Sequence, residues 1–170
     1  LEALQVLALI DRGEGKRIKA FETLDQIRQL DPLCHFVRME KSLWEKTTAS
    51  RTAVKQLVRN EMPHETFLEL AIWYSKLGLF KDSAQVLELA PANPEVSYWK
   101  AYLKDKLKEP GVDAELKTAR SLSPRLVFPF RSETAEVLKW VNAHDDSWQA
   151  RYYLALIEAN AGNESKALEL

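Results

Sequence analysis

Apolar residues recur at three- and four-residue spacing along nearly the whole chain, in stretches of roughly a dozen residues. Leu4, Leu7 and Ile10 line one face of a first helix, which Gly13 and Gly15 end. Ile18, Phe21, Leu24 and Ile27 line a second, stopped at Asp31-Pro32, because proline cannot continue the hydrogen-bond ladder and disfavours helical geometry in the residue before it. A third helix is expected over about 33–46 on Phe36, Met39, Leu43 and Trp44. The fourth, about 50–60, carries Ala53, Leu57 and Val58 and ends before Met62-Pro63.

The rhythm continues with a helix over about 64–77 on Phe67, Leu70, Ala71 and Tyr74, after which Gly78 suits a C-terminal cap. Ala84, Val86, Leu87 and Leu89 make its partner, closed by Ala90-Pro91. Asn93-Pro94 opens a helix over about 94–107, since proline fits a first turn. Pro110-Gly111 breaks it, and a helix over about 112–122 on Leu116 and Ala119 ends before Ser123-Pro124. The two prolines of Pro124–Phe130 make that segment an extended connector whose apolar side chains need a surface to cover. Helices resume over about 131–143 and about 147–161, the latter on Trp148, Tyr152, Leu156 and Ala159, and a last one begins after Gly162-Asn163. No strand pattern competes. Short antiparallel helices paired at intervals of about 30–35 residues define an all-α repeat array.

The period carries a motif as well as a rhythm. Residues 1–34 resemble one tetratricopeptide repeat. Leu4, Leu7 and Ala8 stand where its first helix packs on its second, although the usual large-then-glycine pair is replaced. Gly15 occupies the turn, Ala20 the tight helix contact, Leu24 the large partner position and Asp31-Pro32 the exit. A third unit resembles the same motif in Phe67, Leu70, Ala71, Tyr74, Gly78, Phe80 and Pro91, with Ala84 one residue later after the glycine than the pattern expects. The last repeats it in Leu154-Ala155, Gly162 and Ala167, while the second and fourth lack the turn glycine. The resemblance implies a right-handed α-α superhelix of about eleven short antiparallel helices. It would form one array over 1–170, in units of about 1–34, 35–63, 64–93, 94–124 and 131–170.

Residues 73–170 carry a narrower resemblance. It rests on Trp73–Phe80, Val86–Pro91, Tyr98–Leu103, Val127–Thr134 and Trp148–Leu156. These segments are similar to the repeat region of large uncharacterised proteins common in Bacteroidetes, in which a mutarotase-like β-sandwich precedes the repeats. That similarity implies context rather than a reaction. The chain starts without Met and stops at Leu168-Glu169-Leu170, and so reads as a piece excised from a longer protein.

Composition narrows the classes of function. With 24 basic against 25 acidic residues and a net charge of -1, the chain lacks the basic stripe that nucleic acid requires. No window offers the ~20 apolar residues of a membrane span. The opening ten residues have no basic flank, and Glu2 and Gln5 interrupt them at helical spacing, so they read as an amphipathic helix and not a signal peptide. Cys34 is alone and can form no intrachain disulfide; the compartment stays open, with the cytoplasm favoured.

Catalytic constellations are missing from the sequence. His64-Glu65 lacks the second histidine of a zinc-protease helix, because Leu68 stands in its place, and a capping or surface role suits it. His144-Asp145-Asp146 precedes a helix, which favours Asp145 or Asp146 as its N-cap over a cation site. Cys34 and His35, adjacent on a helix, point about 100° apart and form no dyad. Gly13-Glu14-Gly15-Lys16 has neither the spacing nor the preceding strand of a phosphate loop. Trp44, Trp73, Trp99, Trp140 and Trp148 all fall on helices, where they would pack repeat against repeat.

The tetratricopeptide resemblance places ligand contacts on the inner face of each first helix. Carried over, these are Gln5, Leu9 and Arg12, then Leu68, Ile72 and Lys76, then Tyr152, Leu156 and Asn160. Leu68, Ile72, Tyr152 and Leu156 do not supply the cationic clamp with which the chaperone-binding members hold a peptide carboxylate. An apolar face suits a helix, an extended apolar segment or another domain of the same protein, and equally suits closure by neighbouring helices. The expectation is an interaction scaffold for a protein partner or its own domains, without catalysis, metal or cofactor. The alternative is an accessory segment of a carbohydrate-active or glycan-binding protein.

Overall fold

A computed structural model describes residues 1–170 and contains eleven α-helices and no strand. The chain divides into two compact units, Leu1–Asn60 and Glu61–Leu170. The first holds α1 (Glu2–Gly13), α2 (Arg17–Leu30), α3 (His35–Glu45) and α4 (Thr48–Leu57). The second holds α5 (Pro63–Lys76), α6 (Phe80–Leu87), α7 (Pro94–Leu107), α8 (Val112–Ser121), α9 (Ser132–His144), α10 (Trp148–Asn160) and α11 (Glu164–Glu169). Every helix that the hydrophobic spacing predicts is present.

The starts of these helices follow local chemistry. Thr47, Asn93 and Ser147 each accept a backbone N–H of the first turn on a side-chain oxygen, capping α4, α7 and α10. Pro63 and Pro94 sit in first turns, where no N–H is required. Ser147 caps α10, so the expectation that Asp145 or Asp146 does so is corrected: both carboxylates are taken by arginines, Asp145 by Arg120 and Asp146 by Arg151.

The hairpin turns share one geometry. After α1, α5, α7 and α10, one residue adopts a left-handed conformation: Gly15 (φ +71), Gly78 (φ +74), Lys108 (φ +55) and Gly162 (φ +82). In all four its N–H reaches the carbonyl three residues back, and the next N–H reaches the carbonyl five back, at 2.8–3.1 Å. That pair of bonds satisfies carbonyls the helix end would leave orphaned. The turn after α3 also runs through a left-handed residue, Lys46 (φ +53), with its N–H on Ser42 O at 2.9 Å. Lysines thus stand at the turn where the second and fourth predicted units lack glycine. From 15 to 46 to 78 to 108 the left-handed residues recur in steps of 31, 32 and 30.

In the first unit the core is Ala8, Ala20, Leu24, Ile27, Phe36, Val37, Met39, Leu43, Val54 and Val58. The predicted faces are corrected in three helices. On α1, Leu7 and Ile10 are exposed while Ala8 and Asp11 are buried; on α2, Ile18 is 77% exposed while Ala20 and Thr23 are buried. On α4, Val54 is buried in place of Ala53 and Leu57. Two helices approach closely only where their side chains are small, so Ala8 and Ala20 set the rotation rather than the larger residues beside them. Between α1 and α3, Arg12 Nε lies 2.8 Å from Glu40 Oε2, and Glu40 is fully buried.

In the second unit Tyr74, Tyr98, Tyr153, Leu68, Leu87, Leu103 and Leu138 are fully enclosed, and Trp99 and Phe67 are nearly so. The small-residue position between α5 and α6 is filled by Ser83 rather than by the predicted Ala84. Ser83 is wholly buried and its hydroxyl donates to the Ala71 carbonyl at 2.7 Å. Ser83 stands five residues after its turn glycine, as Ala20 and Ala167 do after theirs. The Pro124–Phe130 connector alternates: Val127 and Pro129 are buried, whereas Leu126, Phe128 and Phe130 face outwards.

Candidate functional site

The nine predicted contact residues lie in very different surroundings. Gln5 and Leu9 are half-buried on α1, with Gln5 Nε2 3.9 Å from Cys34 Sγ. Arg12 is committed to Glu40. On α5, Leu68 and Ile72 are interior, and Lys76 is exposed but bonded to Glu133 Oε1 at 3.0 Å. On α10, Tyr152 is 46% exposed, Leu156 is half-buried and Asn160 is exposed.

One helix therefore gathers three of the nine on a reachable face, and the structure adds Trp148 to them. Trp148 is 56% exposed, and its ring centroid lies 6.4 Å from that of Tyr152. Positions 148, 152, 156 and 160 follow one another at four-residue spacing along α10, while Ala150, Tyr153, Leu154 and Ile157 of the same helix are buried. Periodicity placed Trp148 in the packing. A residue opening a helix just after the cap is as free to turn outwards as inwards, and nothing in the spacing distinguishes the two.

The other tryptophans are more enclosed. Trp99 is buried and meets Tyr102 edge-to-face at 5.9 Å, Tyr102 meets Trp140 at 5.6 Å, and His144 stacks on Trp140 at 4.5 Å. His144 Nδ1 is 2.7 Å from the Trp140 carbonyl, which orients the ring. His64 lies 3.4 Å from Glu65 in the first turn of α5.

A buried polar cluster escaped the sequence reading. Glu95, in the first turn of α7, is 2% exposed, and its Oε1 accepts the Thr134 hydroxyl at 2.8 Å. Thr134 in turn accepts from Trp99 Nε1 at 3.0 Å. Burial pushes the Glu95 carboxyl up to about 7; the Thr134 bond opposes this, the Glu65 charge adds to it and the Arg131 charge opposes it. Arg131 itself is paired with Glu65 and lies over the Phe130 ring at 4.3 Å. The Tyr98 hydroxyl is 2.9 Å from Ser147 Oγ, and burial raises the phenol pKa of Tyr98 and pushes that of Tyr153 to about 12.

Chemically this cluster holds one hydroxyl-bonded carboxyl beside an arginine already matched to another carboxylate. It has no activated nucleophile, and no three metal-ligating side chains converge anywhere in the chain. A concavity of 460 Å³ in the first unit is lined by Arg28, Gln29, Pro32, Cys34, Val37 and Arg38. Its cations are occupied, Arg28 by Asp25 at 3.5 Å and Arg38 by the Pro32 carbonyl at 3.4 Å. No helix is long and apolar enough to cross a membrane. No protein-family model matches the chain, and no curated protein matches it.

Proposed function

We propose that the chain is a tetratricopeptide-type helical-repeat array that serves as an interaction scaffold, for a protein partner or for other domains of its own polypeptide, without catalysis of its own. The observation that carries the reading is the repeated hairpin turn. Four helix ends close through the same two hydrogen bonds around one left-handed residue, at the turn position that the tetratricopeptide resemblance specifies for three of them. Helical hairpins repeated in this way expose long surfaces and seldom build enclosed sites, which is why they bind partners.

The contact surface we assign is the outer face of α10, with Trp148 and Tyr152 as aromatic anchors flanked by Leu156 and Asn160. Large, rigid aromatic residues lose little conformational freedom on binding and dominate interface energetics. The cations among the predicted contacts, Arg12 and Lys76, are tied to Glu40 and Glu133, which supports an apolar ligand over a terminal carboxylate.

The same exposed ring pair favours a second reading, in which the face stacks against a glycan within a carbohydrate-active or glycan-binding protein. Isothermal titration separates the two. Peptides selected from a display library on the immobilised chain should give heat that is lost in the Trp148→Ala, Tyr152→Ala double variant while its helical circular dichroism persists. Heat with oligosaccharides and none with any selected peptide would overturn the scaffold reading in favour of the glycan.

A further inference from the structure

Glu95 is shut almost wholly from solvent without a cation bonded to it. Its recorded side-chain partner is a single hydroxyl, that of Thr134 at 2.8 Å. Holding an ionised carboxyl out of water without a bonded cation is costly, so this site favours the neutral form. The nearest guanidinium, Arg131, is already neutralised by Glu65. Ionising Glu95 would therefore set two carboxylates against one arginine inside the fold.

The part that Thr134 and Arg131 anchor is the part least able to resist. Arg131 stands at the N-cap of α9 and offers no side-chain cap, so the first turn of that helix depends on what its residues meet in α5 and α7. The connector before it has no helical ladder, holds Leu126 at φ +59 and already turns Phe128 and Phe130 outwards.

We infer that Glu95, Thr134 and the Arg131–Glu65 pair form a proton-operated latch, which holds the connector and the first turn of α9 on α5 and α7 while Glu95 is neutral and releases them when it ionises.

The surrounding charges are consistent with such a latch. From α5 comes Glu65, with His64 beside it; from the head of α9 come Arg131 and Glu133, the latter held by Lys76. The phenols of Tyr98 and Tyr153 approach from α7 and α10, and the Arg120–Asp145 pair from α8 and the α9–α10 link acts on Tyr98. Asp82 on α6 is buried, and Glu88, just after that helix, is taken by Lys100 at 3.5 Å. Burial places the titration of Glu95 near neutrality, where a shift in surrounding pH changes the population of the two states.

Hydrogen exchange on the full chain between pH 5.5 and 8.5, corrected for the intrinsic rate, tests the latch. Amide protection at Ala135–Leu138, whose bonds close the first turn of α9, should fall roughly tenfold for each pH unit from pH 5.5 up to the Glu95 midpoint and level off above it. Glu95→Gln should hold it constant. Glu65→Gln should move the midpoint down by removing a like charge, and Thr134→Val should move it up by removing a donor to the carboxylate. Should the Gln variant fail to fold, the carboxyl carbon resonance of Glu95 in the natural chain supplies the midpoint directly. Protection independent of pH, loss spread evenly over Glu61–Leu170, or a Glu95 carboxyl titrating in the ordinary glutamate range would each overturn the latch.

Discussion

Two glutamates are buried to the same degree and are expected to behave in opposite ways. Glu40 has a guanidinium at 2.8 Å, so its charge is matched where it lies. Breaking a buried pair by removing one charge costs about 3–5 kcal/mol, and less where one partner keeps some solvent, as Arg12 does. Glu40→Gln should therefore lower the stability of Leu1–Asn60 by about 2 kcal/mol in urea unfolding; an unchanged midpoint would show the pair to be dispensable. Glu95 has a hydroxyl in place of a cation. Its folded pKa of about 7 lies above the ordinary glutamate value of 4.5 because burial penalises the charge. The stability it contributes is fully present below about pH 4.5 and is lost as pH rises through about 7, and the full difference is of order 3 kcal/mol. Glu95→Gln should remove this slope and exceed the natural chain at pH 8 by about 1 kcal/mol, the gain being reduced by amide hydrogens that find few acceptors. Urea midpoints at pH 5 and pH 8 measure both effects, and a natural chain equally stable at the two pH values would contradict the assignment.

At the scale of helices and turns, chain reversal rests on single left-handed residues, and the backbone penalty there can be measured apart from packing. A Cβ placed on Gly15, Gly78 or Gly162 meets no atom within 4 Å. Gly78→Ala is thus expected to cost about 1 kcal/mol from the left-handed backbone alone. Conversely, Lys108→Gly and Lys46→Gly should each raise stability by about 0.5 kcal/mol, the relieved strain exceeding the extra freedom glycine gives the unfolded chain. Differential scanning calorimetry decides the sign, and a destabilised Lys108→Gly would mean that the lysine side chain matters more than its φ. These turns also show what the sequence made legible. The three glycine turns could be read directly, because glycine marks the left-handed conformation. The two lysine turns could not, since lysine occupies such a position without compositional trace. Helix existence was readable from spacing throughout, and so was rotation in α3 and α5, where Phe36, Met39, Leu43, Phe67, Ala71 and Tyr74 are buried, but not in α1, α2 and α4. In α1 and α2 the small residues Ala8 and Ala20 won the interior over Leu7, Ile10 and Ile18, and apolar periodicity weights large residues above small ones.

For the whole molecule, the division between interior and surface decides which predicted contacts can bind anything. The same register on three helices does not lead to the same surroundings in each. On α5 that register leads inwards, to Leu68 and Ile72, whereas on α10 it leads to Tyr152 and Asn160, which solvent reaches. Nothing in a single sequence distinguishes the two cases, since Ile72 and Leu156 are both aliphatic and each stands six residues before its turn glycine. The Glu95 cluster was hidden for a related reason: a glutamate one residue after a helix-opening proline normally caps or faces water. The partition predicts a separation of effects. Leu68→Ala empties a fully buried site and should cost about 3 kcal/mol, with any loss of ligand binding following from the loss of fold. Trp148→Ser and Tyr152→Ser remove side chains roughly half exposed and should each shift stability by no more than about 0.5–1 kcal/mol, while the double variant abolishes binding of any ligand seated on α10. Urea unfolding alongside titration of display-selected peptides measures both quantities on the same samples. If Trp148→Ser destabilised the chain as severely as Leu68→Ala, the tryptophan would belong to the core, and the outer face of α10 would lose its claim to be the contact surface.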